Sequence, residues 1–435
     1  MSGEPDLLIA NGRVIDPSQK LEAEADVLLR NGAVFFIGDP KQARALAADK
    51  TEILDASGKV VTPGLIDMHV HLREPGMEEE ETIASGCAAA VAGGFTSVAC
   101  MPNTDPALDN EAAIIFVQEQ ARKAGLANVF PVGTITRGRR GQELAEMAQM
   151  ARGGAVAFSD DGNSVPTAGL LRHAMLYARM LGKAILEHCE DPSLSANGVM
   201  HEGYFSTILG LPGTPAEAEE IIVARDVALA KLTGARLHIQ HVSTAGSVEI
   251  IRRAKAQGVA VTAEVCPHHL VLTDECVRTY NPVYRVSPPL RTAADAAACL
   301  RGLQEGVIDV IASDHAPHLA EEKELEFAAA PAGMIGLETT MGVLLTEIVA
   351  KGLLSLPTLI ARMTIAPAQI LGIDGGTLRP GAAGDVTIWD LERAWVVEPK
   401  RFRSKSRNCP YRGRALRGAT WATVVKGRVV YRAEG

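Results

Sequence analysis

Residues 65–71 read Leu65-Ile66-Asp67-Met68-His69-Val70-His71, an apolar, β-rich run that closes on two histidines. Runs of the same kind recur at Thr96 to Met101, Val129 to Thr134, Ala155 to Ser159, Ala184 to His188, Arg236 to His241, Ala260 to Val265 and Ile308 to Ser313. Longer Ala-, Leu- and Glu-rich segments of helical character separate them, so the chain alternates β with α and predicts a parallel sheet. Eight such units spread over about 300 residues match the number and size of a (β/α)8 TIM barrel.

Outward from this centre the pattern changes. Leu7 to Ile15 and Asp26 to Gly38 are β-rich runs around Asn-Gly turns, a hairpin signal. Asp385 to Leu391 and Ala422 to Tyr431 repeat the style, with Lys426-Gly427 as a turn. Each end alone is a sheet fragment with little core, so the two are expected to pack as one discontinuous domain. The expected architecture is α/β: a TIM barrel over residues 61–364, with a small composite β-sandwich built from residues 1–60 and 365–435.

Composition agrees with a large globular core: 435 residues, 47% hydrophobic and 22% charged, which excludes disorder, collagen and coiled coil. The net charge of −9 argues against the broad positive surface that nucleic acid or an anionic membrane requires. No apolar stretch is long enough to span a bilayer, and the start lacks a secretory signal, so a cytoplasmic location is expected. Seven cysteines without a Cys-x-x-Cys fit neither a disulfide framework nor a cysteine zinc site and are expected to be reduced and buried.

The reactive side chains gather where the runs end: His69 and His71, Asn103, Thr136, Asp160 and Asp161, His188, His241, His268 and His269, then Asp314, His315 and His318. Barrel enzymes draw their catalytic groups from the C-terminal ends of several strands, so this distribution describes one active-site mouth. His69 and His71 lie two apart on a strand and can aim at one ion. A lone His-x-His is weak, but His188, His241, Asp161 and Asp314 raise the set to four imidazoles and two carboxylates on one rim. Mixed nitrogen and oxygen donors suit zinc, and six exceed one tetrahedral shell, so two ions bridged by a carboxylate, with Asp161 as the candidate bridge, are expected.

The run Asp67-Met68-His69-Val70-His71-Leu72-Arg73-Glu74-Pro75-Gly76 resembles the signature of the dihydroorotases, in the amidohydrolase superfamily of metal-dependent barrel hydrolases. Met101 to Thr104, Ser159 to Gly162, Glu187 to Asp191, His241 to Ser243 and Ser313 to His318 match the bacterial type I branch in order and approximate spacing, and the resemblance covers essentially the whole chain. It implies that His69, His71, Asp161 and Asp314 hold one zinc while Asp161, His188 and His241 hold the other, with occupancy of the second site less secure. Many amidohydrolases bridge their ions through a carboxylated lysine; strand four offers none here, leaving the aspartate. Asp314 is implied as the proton shuttle. Arg73 is implied as the fork for the substrate carboxylate, aided by Asn103 and His318, within a substrate-contact set of His71, Leu72, Arg73, Asn103, Ser287, His318, Ala332 and Gly333. The implied reaction is reversible closure of N-carbamoyl-L-aspartate to dihydroorotate, the third step of pyrimidine synthesis.

Two departures stand out. Relatives carry Asn where Ser287 precedes Pro288-Pro289-Leu290-Arg291, and Pro-Phe-Gly where this chain has Pro331-Ala332-Gly333. Two alternatives therefore stay open: a related cyclic-amide hydrolase, a hydantoinase or allantoinase, and an inactive scaffold for aspartate transcarbamoylase. That enzyme and a second copy of the chain are the candidate macromolecular partners. Other features take plainer readings: His268 and His269 as supporting or helix-start groups, Cys189 as packing, Glu78 to Glu81 as a solvated helix start, and Arg137 to Arg140 as a solvated turn.

Overall fold

The computed structural model describes residues 6–434. All eight expected barrel strands are present: Leu65–Val70, Phe95–Cys100, Asn128–Pro131, Ala157–Phe158, Ala184–Glu187, Leu237–Ile239, Val261–Val265 and Val310–Ile311. The first three pair in order as one parallel sheet and the last five as another. Parallel bridges from Gly133 to Phe158 and from Val70 to His315 close the two arcs into a ring.

Why these runs are apolar at nearly every position follows from burial on both faces. Met68, Ala99, Leu186, Val310 and Ala312 point into the barrel and form its packed interior, where Ile370 and Leu371 join them from the helix Ile365–Leu371. The intervening positions, such as Val98, Ile185 and Ile311, pack outward in the large core that holds Ile114, Leu171, Ile222 and Val248 of the surrounding helices. Strand seven differs: Val261, Ala263 and Val265 take the outward core positions, which leaves Thr262 and Glu264 for the inside.

The two chain ends join as expected. Val60–Pro63 pairs antiparallel with Val386–Trp389, uniting the N- and C-terminal strands in one eight-stranded sheet around its own core of Leu7, Val14, Val27, Val61, Val386, Ile388 and Val424. Asn31-Gly32 and Lys426-Gly427 are its hairpin turns, all four residues at positive φ. Asn11-Gly12 is not a turn. It lies inside the strand Leu7–Asp16 as a bulge, where the register against Leu21–Arg30 shifts between Ile9 and Gly12. The bulge redirects the strand, whose first half pairs with Glu52–Asp55 and whose second half pairs with Val60–Val61. A side chain at Gly12 would meet Val61 Cγ2 at 2.5 Å, so the close approach itself requires glycine.

All seven cysteines are unpaired, and all but Cys276 are buried. Burial pushes the Cys87 and Cys100 thiols up to about 12, so they are inert. A thiol reagent should therefore titrate no more than one cysteine in the native protein and seven after denaturation. Rapid native labelling of several thiols would contradict this packing. No helix among the described residues is long and apolar enough to cross a membrane.

Candidate metal centre

The barrel mouth brings all six expected donors together. His69 and His71 stand at the end of strand one, Asp161 and His188 follow strands four and five, and His241 and Asp314 follow strands six and eight; all six are buried. Asp161 is the common neighbour. Its Oδ1 lies 3.3 Å from His69 Nε2, 3.8 Å from His188 Nδ1 and 3.7 Å from His241 Nε2, and its Oδ2 lies 3.6 Å from His71 Nε2. Asp314 Oδ1 sits 3.1 Å from His71 Nε2 and 3.6 Å from His69 Nε2. His188 Nδ1 and His241 Nε2 approach to 2.9 Å.

The adjacent aspartates have separate fates. Asp160 accepts hydrogen bonds from the backbone of Ile135 and Thr136, at 2.9 and 3.0 Å, and from the Thr136 hydroxyl, so it ties two loops together. Asp161 instead leaves Oδ1 buried and without a hydrogen-bond partner. Its loop is held by Ser159 Oγ, which accepts from the Asp161 N–H at 3.0 Å, and by Arg139, which donates to the Asp161 carbonyl.

Hydrogen bonds on the far side of two rings fix which nitrogen faces the centre. Glu264 Oε1, directed inward from strand seven, accepts from His69 Nδ1 at 2.6 Å, and Asn103 Oδ1 accepts from His71 Nδ1 at 2.8 Å. Each bond leaves Nε2 as the bare nitrogen towards the aspartates, the usual arrangement behind metal-bound imidazoles. His69 Nε2 and Asp161 Oδ1 are thus two lone-pair atoms facing each other, both buried and both without a hydrogen bond. Such a pair asks for a cation. Donors of His69, His71 and Asp314 lie within 4.8 Å of one another, as do those of His69, Asp161 and His241; the two groups share His69, and His188 joins neither, so the residues fit metal binding at this mouth.

The charge balance points the same way. Burial opposes a charge on His69, but Asp161, Glu264 and Asp314 outweigh it and hold its pKa well above the ordinary value, so a proton takes the Nε2 lone pair wherever a metal does not. Burial likewise opposes ionisation of Asp161 and Asp314; His69, His241 and His71 reverse this and hold both carboxyls below their usual range. The centre is a sink for positive charge. Backbone geometry supports it, for His241 and Asp314 both have positive φ, at 33° and 48°, a conformation that surrounding structure must enforce.

Beside the centre lies a polar wing. Arg73, also at positive φ (63°), is buried; its Nε donates to the Pro317 carbonyl at 3.0 Å, and Nη2 lies 3.4 Å from His318 Nε2. His318 Nε2 also lies 2.8 Å from the Ala332 carbonyl, and a side chain at Gly333 would come within 2.7 Å of that nitrogen. Ser287 Oγ donates to Glu190 Oε2 at 3.1 Å, next to His188. The Leu72 side chain turns away and packs against Gly86 of the helix Ile83–Ala92.

Several participants escaped the sequence reading. His238 Nε2 lies 3.2 Å from Glu264 Oε2, extending the chain behind His69. Asp67 accepts from the backbone of His69 and Ser313 at 3.1 Å each, fastening strand one to strand eight beneath the donors. The acidic run is only in part the solvated helix start expected: Glu78 and Glu79 are exposed, but the run precedes the helix and its last member is not solvated. The helix begins at Ile83, and Glu81 is fully buried, bonded to Ser404, Ser85 and the backbone N–H of Lys405. Arg139 of the basic run is likewise engaged rather than solvated. The signals were there in part: one acid among the apolar residues of strand seven, at an inward position. A cavity of about 570 Å³ near Trp389, Trp395 and Arg403 holds none of the six donors.

Two family models match the chain, Dihydro-orotase-like over residues 58–247 and Amidohydrolase family over residues 222–431. The chain is 58% identical to the dihydroorotase of Pelotomaculum thermopropionicum, over 98% of both chains. It is 53% identical to that of Pelobacter propionicus, over 98% of this chain and 99% of the relative. Among solved structures it is similar to the L-hydantoinase (dihydropyrimidinase) of Arthrobacter aurescens, with a TM-score of 0.87 and 28% identity over 99% of this chain and 96% of that one. The dihydropyrimidinase of Brevibacillus agri follows at 0.84 and 25% identity, over 98% and 95%.

Proposed function

Because this chain belongs to the dihydroorotase family of cyclic amidohydrolases, we propose that its barrel mouth holds two zinc ions and interconverts N-carbamoyl-L-aspartate and (S)-dihydroorotate. The activity is that of a dihydroorotase, the ring closure with loss of water that forms the third step of pyrimidine synthesis. The enzyme is a metal-dependent hydrolase acting on a small molecule. Identity of 58% to a dihydroorotase against 28% to a hydantoinase disfavours the related cyclic-amide hydrolases. An inactive scaffold is disfavoured by the convergence of all six donors.

His69, His71, Asp161 and Asp314 would hold one ion and Asp161, His188 and His241 the other, with zinc favoured by the nitrogen and oxygen donor set. Divalent ions held there supply Lewis acidity, activating water at neutral pH and polarising an amide carbonyl. The chain's own residues do the rest. In hydrolysis Asp314 accepts the proton of the attacking water and passes it to the departing ring nitrogen. In synthesis it takes the proton from the ureido nitrogen and gives it to the leaving hydroxide. Because Oδ1 faces the two imidazoles, Oδ2 is the atom that carries the proton. Arg73, with His318, Asn103, Ser287 and the backbone around Ala332 and Gly333, binds the substrate carboxylate and the ring edges. The unpaired cysteines agree with a reducing, cytoplasmic setting.

The observation that carries this reading is the facing pair His69 Nε2 and Asp161 Oδ1 at 3.3 Å, with the Arg73 guanidinium in the same mouth. Arg73→Lys tests it, since a point charge cannot reproduce a planar fork. The substitution should raise KM for dihydroorotate about tenfold or more, with bound metal unchanged. An unchanged KM would remove Arg73 from the substrate site.

A further inference from the structure

Glu80 is a half-buried carboxylate that the reaction does not use. Its Oε2 lies 2.9 Å from Arg73 Nε and 3.6 Å from His318 Nδ1, the two side chains read as holding the substrate carboxylate. Yet the Nε hydrogen of Arg73 is directed at Pro317 O, and Glu80 Oε2 is buried with no hydrogen-bond partner. The Pro317 carbonyl therefore orients the guanidinium; Glu80 contributes charge. The segment that carries it is strapped in place. Ser406 donates to the Glu80 carbonyl at 2.9 Å, Lys405 Nζ donates to the Glu78 carbonyl, and Glu81 anchors to Ser404 and the Lys405 backbone. The backbone that presents the carboxylate is thereby fixed beside Arg73. Glu322, 3.7 Å from His318 Nδ1, adds a second negative charge, while burial beside Arg73 and Lys323 pushes His318 down to about 3 and keeps it neutral. Among the described residues Arg73 is thus the one cation directly at the clamp, and Glu80 already offsets its charge.

We propose that Glu80 is a specificity-determining counter-charge, competing with the substrate carboxylate for Arg73 and His318. Negative charge alone then gains little at this clamp. A ligand is held only if its carboxylate makes the directed hydrogen bonds to the guanidinium, so small unselective anions are excluded and the substrate is bound loosely enough to exchange.

The proposal rests on the reading of Arg73 as the carboxylate residue, and calorimetry separates the two. The probe is orotate, a planar analogue that keeps the carboxylate and has no saturated ring to open, titrated into the zinc-loaded full chain. Glu80→Gln and Glu80→Asn should each tighten orotate about tenfold, and Glu80→Asp, which keeps the charge, should stay within about twofold of the parent. Arg73→Gln should abolish measurable binding. If neutral variants at position 80 bind orotate no more tightly than the parent while Arg73→Gln loses it, the counter-charge is refuted. If Arg73→Gln binds orotate normally, the underlying reading of Arg73 fails instead.

Discussion

Asp314→Asn should keep its metal and turn over dihydroorotate roughly 10³-fold more slowly, a loss of about 4 kcal/mol of transition-state stabilisation. The amide retains an oxygen where Oδ1 faces His71 Nε2 at 3.1 Å and His69 Nε2 at 3.6 Å, so the donor geometry has little reason to change. What is lost is a base. His69 and His71 hold the Asp314 carboxyl below its usual range, so it is ionised throughout the working pH range and ready to accept a proton; an asparagine never is. The check is bound metal per chain beside kcat in both reaction directions. Equal losses in the two directions are expected, because the same atom moves the proton each way. Near-parental turnover in a metal-loaded Asp314→Asn enzyme would place the shuttle elsewhere.

The second large effect separates two neighbours in sequence. Asp161→Ala removes the carboxylate that neighbours His69, His71, His188 and His241 and should weaken metal binding by roughly 100-fold or more, measured by competition against a chelator, with turnover lost in parallel. Asp160→Ala should instead leave the donors intact and cost about 3 kcal/mol of stability, because the backbone N–H groups of Ile135 and Thr136 lose their acceptor. Metal loss from the position-160 variant, with metal retained by the position-161 variant, would reverse the assignment.

Much of this architecture was legible from residues alone. The eight barrel strands were readable because both faces of each are buried, which leaves short, nearly unbroken apolar runs between helical segments. The clustering of the six candidate donors was readable because they end or follow those runs. Other features depended on contacts between distant parts of the chain. Asn11-Gly12 and Asn31-Gly32 are the same dipeptide, and only the neighbouring strand at Val60–Val61 makes the first a bulge and the second a turn. Glu80 and Glu81 read as solvated charge because their partners, Arg73, His318 and Ser404, meet them only in the folded chain. Glu264 shows the limit most clearly. An acid in a strand is a weak sign, and its place behind His69 appears only once strand seven closes the barrel next to strand eight. The positive φ angles of Arg73, His241 and Asp314 have no counterpart in residue type; none is a glycine.

The measurement closest to the central claim is turnover by the zinc-loaded full chain, followed as loss of the dihydroorotate ring absorbance, with hydantoin and allantoin in parallel. Dihydroorotate alone should be opened; a strong chelator should stop the reaction, and added zinc should restore it. Comparable turnover of hydantoin or allantoin, or no turnover of dihydroorotate with both ions bound, would contradict the account.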